Sequence, residues 1–305
     1  NIGRKMSAGE ADKIFRSPTT IQRILGVGQK LRSINLPWIP TFILVLLLFC
    51  ALFAPLLAPY DPKEPDILKG VQRIGPFESS ENLLGVDILG RDLLSRLIHG
   101  ARISAFISLV SLGFGAVVGT SLGIMSGYFG GKIDAFLMRV TDGVMGFPTI
   151  LLALIIVAIQ GGAGIQNVII AIMATVWARF ARQIRGEVLG LKERDFVTLA
   201  VVAGVPAHRI MIRHIFPNVI NTVLIIISLL VGQTILLEAS LSFLWVGVPP
   251  GEAAWGIMVS EGRNNLIDLW WLSLIPGLAI TVVVIAMNLF GDWLRDTLDP
   301  KLRRS

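Results

Sequence analysis

The 305-residue sequence is short of charge and nearly devoid of cysteine. Asp, Glu, Lys and Arg together make up 16%, against roughly 25% in an ordinary soluble domain. A larger soluble core does not account for the deficit, because charge follows the surface that carries it. The lone Cys50 excludes an internal disulfide, and within an apolar run it packs as a small hydrophobe. The three histidines, His99, His208 and His214, do not have metal-ligand spacing, so no metal site is expected. There is no phosphate-binding loop. Lys132 in "GYFGGKID" follows two glycines, but no Ser or Thr comes after it and the upstream glycine is misplaced. There is no Gly-x-Ser-x-Gly elbow either. These absences point to a chain with no catalytic residues and no cofactor of its own.

What is present is apolar sequence in blocks. Hydrophobic residues make up 53% and mean hydropathy is +0.72. About 20 apolar residues carry a helix across about 30 Å of hydrocarbon. Continuous runs, with no dyad alternation, exclude a membrane β-barrel. The expected fold is an all-α polytopic membrane protein with six transmembrane helices, at 38–57, 103–126, 133–159, 165–185, 219–238 and 271–291. The organisation reads as an N-terminal segment 1–37, a first span within 38–58, a loop 59–100 with a short helix, a five-helix core 101–292 that includes a loop at 186–217, and a tail 293–305. No secretory signal is read in the first 36 residues, and the missing initiator Met suggests trimmed numbering.

Lys and Arg set the orientation. With the N-terminus inside, 20 of the 27 basic residues fall on the inner side and six on the outer, and Arg102 lies at the mouth of the second span. Both termini are therefore expected in the cytoplasm. The outer loop 59–100 offsets its five basics with Asp61, Glu64, Asp66, Glu78, Glu81, Asp87 and Asp92. The net charge of +6 is a topology signal with a contact to membrane lipid, and no nucleic acid is expected.

Gly115, Gly119, Gly123 and Gly127 recur every four residues and form one stripe along the second span. Such a stripe admits another helix at close range. It serves either a static crossing within the chain or a sliding, subunit-facing surface. Gln233, Asn264 and Asn288 are weak candidates for a polar path. An ion-coupled carrier would place acids deep in its spans. Glu238, Asp134 and Asp142 are not clearly at mid-membrane.

Between two apolar runs lies "FVTLAVVAGVPAHRIMIRHIFPN", residues 196–218. Phe196, Leu199, Ala200 and Ala203 have the spacing of one helical face. Gly204 is expected to end that helix with φ > 0. Pro206 fits the first turn of a second short helix. There Arg209 and Arg213 share a face opposite Met211 and Ile215, and Pro217 is expected to stop it. The pattern suits a docking element, and equally an amphipathic segment lying on lipid headgroups.

The stretch resembles the EAA loop of ABC importer permeases. Thr198-Leu199-Ala200 stands at the Glu-Ala-Ala place, Gly204 at the glycine and Phe216-Pro217 at the Leu-Pro. Thr198 replaces the acid and His214 the isoleucine, with Glu193 and Asp195 nearby. "LLGVDILGRDLLSRLIHGARIS", "SGYFGGKIDAFLMRVTDGVMGFP", "LKERDFV", "EASLSFLWVGV", "PGLAI" and "NLFGDWLRDTLDPKL" resemble the peptide/nickel permease family, and within it the second permease subunit of dipeptide and oligopeptide importers. The resemblance implies a second, unlike permease, two cytoplasmic ATPases that bind ATP and Mg, and an extracytoplasmic peptide-binding protein docking on 59–100 and 239–270. It implies a bacterial or archaeal cytoplasmic membrane. It makes 195–217 the ATPase-coupling loop. Nickel, glutathione and other peptide-like solutes are the competing cargoes. Where the family has a Gln-Pro-Pro-Thr-Pro-x-Trp-Gly stretch, this chain has Val248-Pro249-Pro250-Gly251-Glu252-Ala253-Ala254-Trp255-Gly256.

Overall fold

Helix dominates wherever the chain is described, and the one β-bridge, Val86 with Asp92, is isolated. The computed structural model describes residues 36–298 except 67 and 70–72. The expectations for residues 1–35 and 299–305 therefore lie outside the described residues. The long helices are α1 (Trp38–Leu57), α2 (Leu93–Phe129), α5 (Ile165–Lys192), α8 (Phe216–Phe243) and α10 (Trp271–Leu298). Shorter ones are α3 (Gly131–Gly146), α4 (Thr149–Ile159), α6 (Asp195–Val202), α7 (Ala207–Ile210) and α9 (Trp255–Gly262). Loops 58–92, 160–164 and 244–270 lie at one end of the bundle, called here the first end. Residues 193–206 lie at the second end.

Helix α2 begins ten residues before its expected apolar start, inside the segment read as loop 59–100. Asp92 caps it, with Oδ2 accepting the Ser95 N–H at 2.7 Å, which satisfies a donor the helix start leaves open. Hydropathy misses this turn because it carries Arg96. That side chain is 1% exposed and pairs with Asp87 at 2.6 Å and Glu261 at 2.7 Å. Arg91 joins the same two acids at 2.6 and 3.1 Å. The cluster ties the first-end loop to α2 and α9. Of the short helix expected in that loop, Leu68 and Lys69 are helical and the residues on either side of them lie outside the described residues.

The glycine stripe faces a helix of its own chain. Gly115, Gly119, Gly123 and Gly127 are all buried and face α5. A Cβ on Gly119 would lie 2.3 Å from the Trp177 carbonyl oxygen, and one on Gly123 2.7 Å from that of Ala181. Backbone meets backbone there, so the stripe is an internal crossing and not a subunit-facing surface.

The third span is not one straight helix. Helices α3 and α4 are bent by 94° at Phe147–Pro148. Proline drives the preceding residue out of helical geometry, and Phe147 is extended at φ −88°, ψ 142°. Helix α4 alone, 11 residues long, rises about 16 Å and cannot cross. Four helices, α1, α2, α10 and the joined 207–243 rod, are long and apolar enough to span, and a fifth if the bent pair forms one span. The expected count of six depends on α5, which is long enough but carries Arg179, Arg182 and Arg185. It is sheathed by α2, α4 and α8, and Ile172, Phe180, Ile184 and Val188 are wholly buried.

One core cluster joins α2, α5 and α8, and a second joins α1, α9 and α10. Helix α9 is the wedge between them. Trp255 Nε1 donates to the Leu97 carbonyl at 2.9 Å, and Gly256 lies flush against Ala239. Most of α1 remains outward-facing and apolar, as a lipid-facing helix requires.

Candidate functional site

The 195–217 stretch builds an apolar prominence at the second end. Helix α6 opens with Asp195 in its first turn, the sign that suits a helix N-terminus. Thr198, standing at the acid's place, is exposed, and its hydroxyl turns back to the Arg194 carbonyl at 3.3 Å. Val197 and Ala200 are buried against the chain's own core. Phe196, Leu199 and Val202 point away from it, 40%, 66% and 80% exposed, with Ala203 exposed beside them. The expected face of Phe196, Leu199, Ala200 and Ala203 is thereby corrected. Ala200 belongs to the inner face, and Val202 completes the outer one.

Gly204 takes φ 73°, the left-handed conformation expected of it. The Val205 N–H reaches the Ala200 carbonyl, and the Gly204 N–H that of Val201, both at 3.0 Å. This is the Schellman arrangement, which closes a helix on a glycine and turns the chain sharply. The knob is thus held by a defined backbone lock.

Two expectations for the second helix need correction. Pro206 is the residue before α7, extended at φ −66°, ψ 145°, and not in its first turn. Its carbonyl accepts the N–H groups of Arg209 and Ile210 at 2.9 and 3.1 Å. Pro217 does not stop the helix. It lies in the first turn of α8, and a π-helical turn at Met211–Ile215 carries the chain across it without a break. Proline has no N–H to give the preceding turn, and the wider π spacing absorbs the loss. Residues 207–243 therefore form one continuous rod. The knob joins the rod through the short link Gly204–Pro206. Arg209 and Arg213 are exposed and make no ion pair among the described residues, whereas Ile210 and Ile215 are buried and Met211 partly so.

Other expected polar residues scatter. Asn264 is exposed at the first end. Asn288 lies by Gly232, between α8 and α10. Gln233 alone lines a cavity, of about 300 Å³. Glu238 is fully buried and accepts from Ser104 and Ser242, each at 2.9 Å. Ser242 Oγ in turn receives the Val248 N–H at 3.1 Å, so this acid pins the first-end loop to α2. Among the described residues no group of three or more potential ligands could hold a metal.

Residues 119–304 match the family described as binding-protein-dependent transport system inner membrane component, and residues 29–76 match the N-terminal transmembrane domain of oligopeptide transport permease C. The chain belongs to the binding-protein-dependent transport permeases. It is accordingly a multi-pass component of an inner-membrane transport system. It is 42% identical to a putative peptide transport system permease protein of Brucella suis, over 85% of this chain and 87% of the relative. It is 39% identical to a glutathione transport system permease protein of Pectobacterium atrosepticum, over 85% of each. It is 34% identical to an oligopeptide transport system permease protein of Bacillus subtilis, over 98% of this chain and 95% of the relative.

Proposed function

We propose that this permease forms half of the translocation pathway of an ATP-driven importer for di- and oligopeptides, with six spans and both termini in the cytoplasm. A second, unlike permease supplies the other half. A binding protein delivers cargo at the first end. Two ATPases, which bind ATP and Mg, engage the second end. Relatives named for peptide and for glutathione transport support a peptide-like cargo.

The observation that carries the coupling role is the knob itself. Phe196, Leu199 and Val202 are presented outward on a helix whose other face is seated in the core. A loop that merely joined two spans needs no such apolar face. Seated in a groove on an ATPase, α6 moves with that subunit and displaces the 207–243 rod. Coupling then requires the groove to hold α6 differently in the open and closed ATPase states, since equal affinity shifts nothing.

The test is copurification and uptake with Leu199→Asp, Gly204→Val and Ile267→Asp. An aspartate at 199 carries an unpaired charge into the proposed groove yet leaves the free permease undisturbed, because the site is exposed. A Cβ at Gly204 meets no atom within 4 Å, so the cost is backbone strain alone, about 1–3 kcal/mol. Both variants should lose copurifying ATPase and peptide uptake. Ile267, at the first end and 96% exposed, is the contrast, and its variant should keep its ATPases. Retention of ATPase and uptake by both second-end variants would return the loop to the headgroup-lying reading.

A further inference from the structure

Three arginines stand at three-residue intervals on α5, and two of them are neutralised by α3. Arg185 meets both oxygens of Asp134, at 2.7 and 2.6 Å, and Arg182 pairs with Asp142. Arg179 has no carboxylate partner among the described residues. Its guanidinium donates to Gln233 Oε1 and, at 3.4 Å, to Thr149 Oγ1. Both acceptors are neutral. They fix the side chain's position and leave its positive charge whole. Two of the five N–H donors of a guanidinium are engaged, which leaves a fork for a further acceptor.

The three residues come from three elements and meet at one depth. Arg179 is 14 residues from the first-end terminus of α5, Gln233 ten from that of α8, and Thr149 ten from that of α4. At 1.5 Å per residue these are about 21, 15 and 15 Å below the first end, close to the middle of a 30 Å hydrocarbon layer. A guanidinium there is costly against lipid and marks a pathway or a partner by default. The half-open cavity of about 300 Å³ is lined by all three residues and walled by Val176, Leu230 and Leu237. That volume takes one end of a peptide, not its whole length.

We propose that Arg179, held by Gln233 and Thr149, receives the C-terminal carboxylate of the passing peptide, while the apolar wall takes its last side chain. The inference rests on the peptide-importer reading. Charge complementarity selects the carboxylate end over the cationic amino end, and the planar fork matches a carboxylate in two parallel bonds. The site gives the pathway a polarity that an all-apolar passage lacks.

The first arm of the test measures uptake of labelled trialanine by cells that make the complete transporter and no other peptide uptake system. Arg179→Gln should lower uptake about tenfold or more, the scale of one charged hydrogen-bond contact. Arg179→Lys, which keeps the charge and loses the fork, should recover part of it. Copurified partner permease and ATPases should stay at wild-type amounts. Unimpaired uptake in Arg179→Gln, no recovery in Arg179→Lys, or loss of the partner permease would each overturn the site, the last by showing that Arg179 pairs with a neighbouring subunit. The second arm uses the purified complex with Ser240→Cys in a Cys50→Ala background, since Ser240 also lines the cavity. Millimolar trialanine should slow alkylation of that thiol, trialanine amide should not, and Arg179→Gln should abolish the difference. Equal protection by acid and amide, or by neither, would overturn the proposal. If wild-type cells import no trialanine, the peptide reading itself fails. If they do and Arg179→Gln matches them, only this site fails.

Discussion

All five basic residues of 59–100 find an acid. Lys63 pairs with Glu252 at 2.6 Å, Lys69 with Glu81 at 3.1 Å, Arg73 with Asp268 at 3.8 Å, and Arg91 and Arg96 share Asp87 and Glu261. The balance of charge was legible in the sequence. The partners were not, because Glu252, Glu261 and Asp268 come from a loop more than 150 residues away. Nor was it legible which pairs matter, since burial decides that. Lys63 is 58% exposed, and a pair of that kind contributes about 0–1 kcal/mol. Arg96 is 1% exposed between two carboxylates. Arg96→Met would leave two acids against Arg91 alone, an uncompensated buried charge worth about 3–5 kcal/mol. We expect Arg96→Met to lower the thermal midpoint of the detergent-solubilised protein sharply and Lys63→Met to leave it almost unmoved. Equal midpoints for the two variants would show that the cluster is hydrated and not a structural tie.

At the scale of elements, the sequence shows what repeats and conceals what bends. The four-residue spacing of Gly115 to Gly127 is visible in the letters, and the structure supplies its counterpart on α5, namely Val176, Trp177, Phe180, Ala181, Ile184 and Val188. The bend at Pro148 was hidden because a hydropathy run averages over one proline, and the continuity at Pro217 was misread because a proline reads as a stop unless a π turn before it is seen. Arg179 was hidden for another reason. It sits among Arg182 and Arg185 in one basic series, and only the fold separates two neutralised cations from the one that faces a cavity. Two glycines of α2 make the packing testable. Gly119→Leu must push α2 and α5 apart, because its Cβ would lie 2.3 Å from the Trp177 carbonyl oxygen, an overpacking cost of at least about 1–3 kcal/mol. Gly113 has nothing within 4 Å of its Cβ, and Gly113→Ala gains up to about 1 kcal/mol of helix propensity. The expected order of thermal midpoints is Gly113→Ala at or above wild type, with Gly119→Leu well below. Tolerance of leucine at 119 would mean that α2 and α5 do not cross there.

For the whole molecule the orientation follows from where Lys and Arg accumulate, a count and not a net charge. The first end gathers three loops. Of these, 160–166 has no basic residue and 239–270 has only Arg263. The third, 59–100, carries five, against 20 on the side of the second end, which supports the second end as the cytoplasmic side of the proposed importer. The knob and the cation-rich end coincide, as the proposed ATPase contact requires. Single cysteines in a Cys50→Ala background test this, with the chain expressed without ATPase subunits so that nothing covers the knob. Ile267→Cys and Val202→Cys serve best, at 96% and 80% exposure, because neither thiol is shielded by the protein. In intact cells stripped of any outer barrier, a membrane-impermeant maleimide should label position 267 and spare 202. After permeabilisation both should react, which shows that 202 was protected by the membrane and not by packing. Labelling of 202 and sparing of 267 in intact cells would invert the molecule and remove the knob from the side where an ATPase could hold it.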